Sequence, residues 1–198
     1  MRLLVPALTG RSVRLEPLAE SHREPLRRAA DDERIWAHTL TAANGPLFDA
    51  WFNTTVTEHE AGSRFAFAVR LLNNDRIVGS TSYLDIHLHH KRIEIGSTWY
   101  RPDVWATAVN PECKLLLLQH AFDVLSVNRV ALITDSLNTR SQSAIARLGA
   151  VREGVLRAHM ITQGERVRDS VVFSIVAADW PRVREGLAAR LRASEAAR

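Results

Sequence analysis

The chain has one cysteine, Cys113, in 198 residues. A single thiol rules out an internal disulfide and a zinc site built on cysteines. No apolar run approaches the roughly 20 residues that cross a bilayer as a helix. The opening Met-Arg-Leu-Leu-Val-Pro-Ala-Leu is too short an apolar segment for a secretory leader, so a cytoplasmic protein with no membrane partner is expected. There is no internal repeat, low-complexity linker or compositional break. A single domain over residues 1–198 is expected, with a core from about 12 to 177 and a C-terminal helix and tail over 178–198. Charge of one sign is also scarce: 26 basic residues stand among 22 acidic ones, for a net charge of +4. The sequence pI of about 10 invites a nucleic-acid reading. However, arginine dominates and is dispersed, and the densest cluster, over 182–198, also holds Glu185 and Glu195. No direct nucleic-acid partner is expected, and the modest positive balance suits a small anionic ligand.

What is present is an ordinary globular composition, 46% hydrophobic and 24% charged. Residues 13–17 read as a first strand and 19–30 as a helix in which Pro25 either lies in the first turn or marks a kink. Residues 47–60 carry Phe48, Trp51, Phe52 and Val56 at helical spacing. Strands over 65–70 and 77–85 flank the turn Asn73-Asn74-Asp75, which makes a hairpin. A strand over 92–100 follows, then a helix over 111–125 with Asn110 as its N-cap. A strand over 130–134, a helix over 140–148, a hairpin of 151–162 with 167–176, and a last helix over 178–192 complete the pattern. This order argues a mixed α/β fold: a mostly antiparallel sheet with helices on both faces.

The most telling stretch is Asp135-Ser-Leu-Asn138-Thr-Arg-Ser141, which continues through Arg147 and Gly149 to Glu153-Gly154. Asn138 and Ser141 sit where a strand gives way to a helix, at the sheet edge where α/β proteins place their chemistry. The same residues also suit a plain helix cap. The spacing resembles the fourth conserved block of the GNAT acyltransferases, and in particular the branch of the ribosomal-protein N-terminal alanine and serine acetyltransferases. The resemblance runs from about Leu15 to Ile175.

It implies an acyl-CoA N-acyltransferase fold with a splayed central strand pair. It also implies acetyl-CoA as cosubstrate, no metal, and direct transfer of the acetyl group to a primary amine, either a protein N-terminus or a small molecule. The stretch from Ile95 to Lys114 resembles the acetyl-CoA block. The splayed strand would present Thr98, Trp99 and Tyr100 to the pantetheine and the thioester carbonyl. The loop Trp105, Ala106, Thr107, Ala108, Val109 and Asn110 would hold the pyrophosphate at a helix start. The family's motif there is Gln/Arg-x-x-Gly-x-Gly/Ala, and this chain departs from it with Trp105, Ala108 and Asn110. Asn138 and Ser141 match positions that contact the pantetheine arm and the thiol end, and Arg147 matches a basic residue near the nucleotide phosphates.

The branch's acid after the Glu-Gly pair has no counterpart in Leu156-Arg-Ala-His159-Met160. Glu94 on the central strand is the first candidate for general base and His159 the second, oriented by Arg168-Asp169. A buried ion pair of Glu94 with Arg92 or Arg129 is the competing structural reading. Asp85 is placed to hold the acceptor's ammonium, and Trp36, Trp51, Phe52 and Tyr83 are candidates for its pocket, though some must be core. His87, His89 and His90 lack a matching ligand set for a metal. Cys113 lies inside a helix and is not read as a nucleophile. The altered loop also fits a non-catalytic acyl-CoA-binding or regulatory module, and a homodimer is left open.

Overall fold

The computed structural model of the chain describes residues 5–196. The elements run β1 (Leu8–Thr9), β2 (Val13–Pro17), α1 (Arg23–Ala30), α2 (Phe48–Ala61), β3 (Phe65–Leu71), β4 (Ile77–His87), β5 (Arg92–Tyr100), α3 (Val109–Gln119), β6 (Arg129–Asp135), α4 (Thr139–Ala146), β7 (Val151–Ile161), β8 (Val167–Val176) and α5 (Trp180–Ala196). They build one mixed sheet in the order β1-β2-β3-β4-β5-β6-β8-β7. Every neighbouring pair is antiparallel except β5 and β6.

That parallel pair is the centre of the architecture. Its ladder covers only Arg92 to Glu94 against Arg129 to Ala131. Beyond it β5 stays paired with β4, and β6 with β8. The facing edges of residues 95–100 and 132–135 therefore have no strand partner. Backbone donors and acceptors in mid-sheet are normally paired on both sides, so this opening is a place where another group can be received.

Each face of the sheet carries its own core. On one face Val13, Leu15, Tyr83, Ile93 and Ile95 pack with Cys113, Leu117 and Leu118 of α3, Ile145 of α4, and Trp180, Val183 and Leu187 of α5. On the other face Ala66, Ala68 and Trp99 pack with Leu26 of α1 and Phe48, Trp51 and Phe52 of α2. The alternation along β5 sorts these sets, since successive side chains point to opposite faces.

The helix after β5 differs in detail from its expected form. Ala108, not Asn110, is the N-cap, and Val109, Asn110 and Pro111 make its first turn. Proline is tolerated there because those amides have no intrahelical acceptor. The Glu112 carboxylate ties this turn to the β1–β2 connection. It accepts from the amides of Arg11 and Ser12 and from the Ser12 hydroxyl. The helix then widens into a π turn over His120–Val124, three residues beyond Leu117, whose carbonyl accepts from the Tyr83 hydroxyl at 2.6 Å.

Candidate active site at the strand splay

The splay is shaped by a bulge in β5. Ser82 pairs with Gly96 and Ser80 with Trp99, so β5 carries one residue more than β4 between these pairs. Ser97 takes a left-handed φ of 45° there. Bulges re-aim side chains and twist the strand. Below the bulge Glu94 and Gly96 share the face of α1 and α2. Beyond it Trp99 returns to that face, while Thr98 and Tyr100 turn towards α3.

Glu94 is largely buried on this face. Burial and the nearby Asp85 carboxylate push its pKa up to about 7, against the opposing pull of Arg168. The competing reading, an ion pair with Arg92 or Arg129, is not realised. Arg92 pairs with Asp85, and Arg129 makes a double contact with Glu153 at 2.5 and 2.6 Å. A carboxyl group titrating near neutrality beside the splay is suited to general-base work.

At the end of β6, Asp135 is 1% exposed and organises the turn into α4. Its carboxylate accepts from the Leu137 amide at 2.9 Å and from Arg166, and its carbonyl accepts from the Asn138 amide at 3.0 Å. Despite desolvation, these contacts hold its pKa below the usual carboxylate range. Asn138 is the N-cap of α4, with its Oδ1 accepting from the Ser141 amide at 2.9 Å. The cap reading of the Asn-Ser spacing is thus realised. It also leaves Ser141, half-buried, in the helix's first turn beside the end of β6.

Across the splay lies the loop that leads into α3. Ala106 adopts φ 59°, a conformation usually left to glycine. Thr107 Oγ1 donates to the Val104 carbonyl at 2.7 Å and accepts from the Val109 amide at 3.3 Å. The Trp105 indole donates to the Tyr100 carbonyl at 2.8 Å. Arg140, one residue before Ser141, places its guanidinium 3.7 Å from the centre of the Trp105 ring. A cation from α4, on the opposite bank, thus lies against the loop's first position. The sequence reading missed Arg140. Its only signal was an arginine in the first turn of α4, where the helix dipole does not favour a cation. Arg147 lies at the far end of α4, as its C-cap.

The expected acceptor residues divide. Trp36 packs on Trp99 in a tilted arrangement at 5.2 Å, and Trp51 meets Trp99 edge-on at 5.5 Å. The Trp99 indole nitrogen is buried without a hydrogen-bond partner. Trp36 also lines a cleft of about 440 Å³ with Thr39, Thr41, Gln163 and Arg166. The β7–β8 turn forms one wall of this cleft. It is tied to the other by Gln163, whose amide donates to the Leu40 carbonyl and whose side chain accepts from the Ala42 amide. Tyr83 does not join them. It is fully buried on the opposite face under α3, because its place in the β4 alternation turns it inward. Phe52 is likewise core. Asp85, at the end of β4, is paired with Arg92 and with His87 at 2.7 Å.

His159 lies exposed in a wide bulge of the edge strand β7, where Ala158 has φ 49°. Asp169 accepts from the Ala158 amide at 2.7 Å and does not orient the imidazole, and Arg168 turns to Asp135 and Glu94. Cys113 is buried with its pKa pushed up by desolvation to about 12, as suits a packing residue. Among the described residues no group of three or more His, Cys, Asp or Glu is placed to hold a metal ion. No helix among them is long and apolar enough to cross a membrane.

Comparison with known proteins agrees with this geometry. The family described as acetyltransferase (GNAT) domain matches residues 12–151. A solved acetyltransferase structure from T. thermophilus is 35% identical, with 96% of this chain covering 100% of that one at a TM-score of 0.86. The uncharacterized N-acetyltransferase YoaA of Bacillus subtilis is 27% identical over 100 residues, 50% of this chain and 55% of that protein, so the match spans about half of the curated relative. RimJ of Mycobacterium smegmatis, solved in complex with CoA-disulfide, shares the fold at a TM-score of 0.76 over 90% of this chain and 88% of that one, with 18% identity.

Proposed function

Because the chain belongs to the GNAT family of acetyltransferases, we propose that it transfers the acetyl group of acetyl-CoA directly to a primary amine, with Glu94 as general base. The observation that carries this reading is Glu94 itself: a largely buried carboxyl group beside the splay, titrating near neutrality.

The residues present suit the donor. The open edge of β5 offers backbone groups to an amide-rich pantetheine chain. The amides at the start of α3 lack intrahelical acceptors and favour an anion, and Arg140 stands opposite them. Acetyl-CoA supplies an acetyl group already activated as a thioester. In this reading the amides of 98–100 on β5 donate to the carbonyl oxygen as it gains negative charge. Glu94 accepts a proton from the acceptor's ammonium, directly or through a water. The freed lone pair forms the C–N bond while the C–S bond breaks. The nitrogen's remaining excess proton goes to the departing sulfur, to which the Ser141 hydroxyl donates a hydrogen bond. Glu94 then returns its proton to solvent.

The acceptor enters from the Trp36–Trp99 side, where the cleft beside the β7–β8 turn is lined by Thr39, Thr41, Gln163 and Arg166. These walls can receive a peptide-like amine through hydrogen bonds. That is the reading in which the acceptor is a protein N-terminus; structures of the same fold are named as ribosomal-protein serine and alanine acetyltransferases. The second reading, a non-catalytic CoA-binding module, rests on the loop that lacks the family glycine. Ala106 answers part of that objection by taking the left-handed conformation itself.

The test has two arms. CoA at millimolar concentration should raise the melting temperature, since a ligand of the native state stabilises it by mass action. Thiol release from acetyl-CoA should accelerate with some members of a panel of N-terminal peptides and small amines. A shift without turnover on any amine would leave the binding module as the correct reading. No shift at all would overturn both.

A further inference from the structure

The chain contains 24 arginines but only two lysines, Lys91 and Lys114. Lys91 is exposed. Lys114, in the second turn of α3, is 5% exposed. Its Nζ donates to Thr98 Oγ1 at 2.7 Å and reaches Thr81 Oγ1 at 3.5 Å, and the two hydroxyls are 2.7 Å apart. No carboxylate is among these partners. Glu112, two residues earlier, is committed to Arg11 and Ser12. A buried ammonium without a counter-ion is costly, and an aliphatic side chain of equal length would fill the same space. Packing does not account for it.

Its position does. Thr98 directly follows the left-handed Ser97 of the bulge, on the stretch of β5 that has left β6. The ammonium thus stands beneath the strand whose free edge faces the splay. We propose that Lys114 is an electrostatic positioning residue. Through Thr98 it fixes the bulge, and its charge stabilises the negative charge that develops on the thioester oxygen. This inference rests on the acyl-transfer reading above. In a site of low effective dielectric a fixed charge acts at longer range than in water, and it need not touch the substrate.

The titratable groups around Lys114 are few. Cys113 stands on its own helix with Tyr100 of β5 beside that thiol, and Tyr83 of β4 is bound one turn on at Leu117. From β2, Val13 and Leu15 face α3. From α5, Trp180, Val183 and Leu187 do so, while Arg182, Arg184 and Glu185 are exposed. Burial brings the lysine's pKa down to about 8, which leaves it charged at neutral pH and neutral soon above.

The variant Lys114→Met keeps length and removes charge. It should lower kcat roughly tenfold to a hundredfold, with KM for acetyl-CoA changed by less than about twofold. Its melting temperature should stay level or rise, because a buried ion gives way to an apolar group. Wild-type kcat should fall as pH rises through about 8, and that limb should be missing from the variant. A second readout needs no turnover. With lysine labelled by ¹³C at Cε, two side-chain signals arise; one should titrate near 8 and shift when CoA is added. Wild-type kcat in Lys114→Met, a kcat loss matched by a fall in melting temperature, or a Lys114 signal indifferent to CoA would each overturn the inference. A wild-type protein that turns over no amine would instead sink the functional reading beneath it.

Discussion

Replacing Glu94 by glutamine keeps the side chain's shape and hydrogen-bonding reach while removing its basicity. With a pKa of about 7, the wild-type carboxyl group is about one-tenth ionised at pH 6 and about nine-tenths at pH 8. Wild-type kcat should therefore climb through neutrality until the Lys114 limb near pH 8 turns it down, and Glu94→Gln should lack that rise. At pH 7.5 the variant should lose about a hundredfold, the low end for general-base removal. The loss should shrink as the acceptor amine becomes neutral unaided, near pH 9 for a peptide α-amine and higher for an alkylamine. The variant-to-wild-type ratio at each pH is the quantity to follow, since it cancels changes elsewhere in the site. Stability moves as well. The folded carboxyl group holds its proton above its unfolded value of 4.5, so between 4.5 and about 7 the native state binds more protons than the unfolded chain. Stability must then fall as pH rises through that window, by up to about 3 kcal/mol at ~1.4 kcal/mol per pH unit. Glu94→Gln should escape this loss and be the more stable protein at pH 8 in urea melts. A variant with wild-type turnover at neutral pH, or an unaltered acid limb, would refute the reasoning and pass the base role to His159 or to no side chain.

Arg140→Ala should raise KM for acetyl-CoA about tenfold and leave kcat within about twofold, because one charge-assisted contact to the donor's phosphates is lost while the reacting atoms are not. Steady-state kinetics at varied acetyl-CoA check this, and an unchanged KM would place the pyrophosphate elsewhere. Ser141→Ala should lower kcat more than it changes either KM, as expected of a contact made chiefly to the departing sulfur, and equal kcat would remove the serine from the mechanism. Glu112→Ala should destabilise the fold by about 2 kcal/mol or more, since it strips the Arg11 and Ser12 amides and the Ser12 hydroxyl of their shared acceptor. Urea denaturation reads that directly, and a loss below about 0.5 kcal/mol would show that water replaces the carboxylate.

Much of the fold is written in local pattern. β5 runs over Arg92–Tyr100 as its alternation predicts, because Ile93 and Ile95 commit one face to α3 and leave Glu94 and Gly96 on the other. The hairpins around residues 73–75 and 164 follow from turn chemistry, and the Asn138 cap from the preference of asparagine for helix starts. What escaped the sequence depends on which face is which. Period-two alternation says that Tyr83 and Ser82 point apart, but not that Tyr83 goes under α3 and away from the acceptor side. The two-residue strand β1 carries no period at all, and nothing local marks Ser97 as the residue that bulges.

The candidate site was legible where its residues act through their own backbone, and illegible where they act through a neighbour in space. The loop over 105–110 looks depleted when compared with a motif, because Trp105 stands where a cation or amide is expected. In three dimensions Trp105 is the platform on which Arg140 rests, so the charge is kept near the start of α3 by a residue 35 positions away. Lys114 follows the same logic. Within the run Cys-Lys-Leu-Leu it resembles one polar position of an amphipathic helix. Only the contact with Thr98 turns it into a buried charge beneath the splay. Both cases link the banks of one opening, and that opening exists because β5 and β6 pair for three residues and then part. The missing ladder exposes the edge that can take a pantetheine chain. The charges of Glu94, Lys114 and Arg140 are disposed around that gap, and so the chemistry follows from where the sheet fails to close, more than from any one short motif.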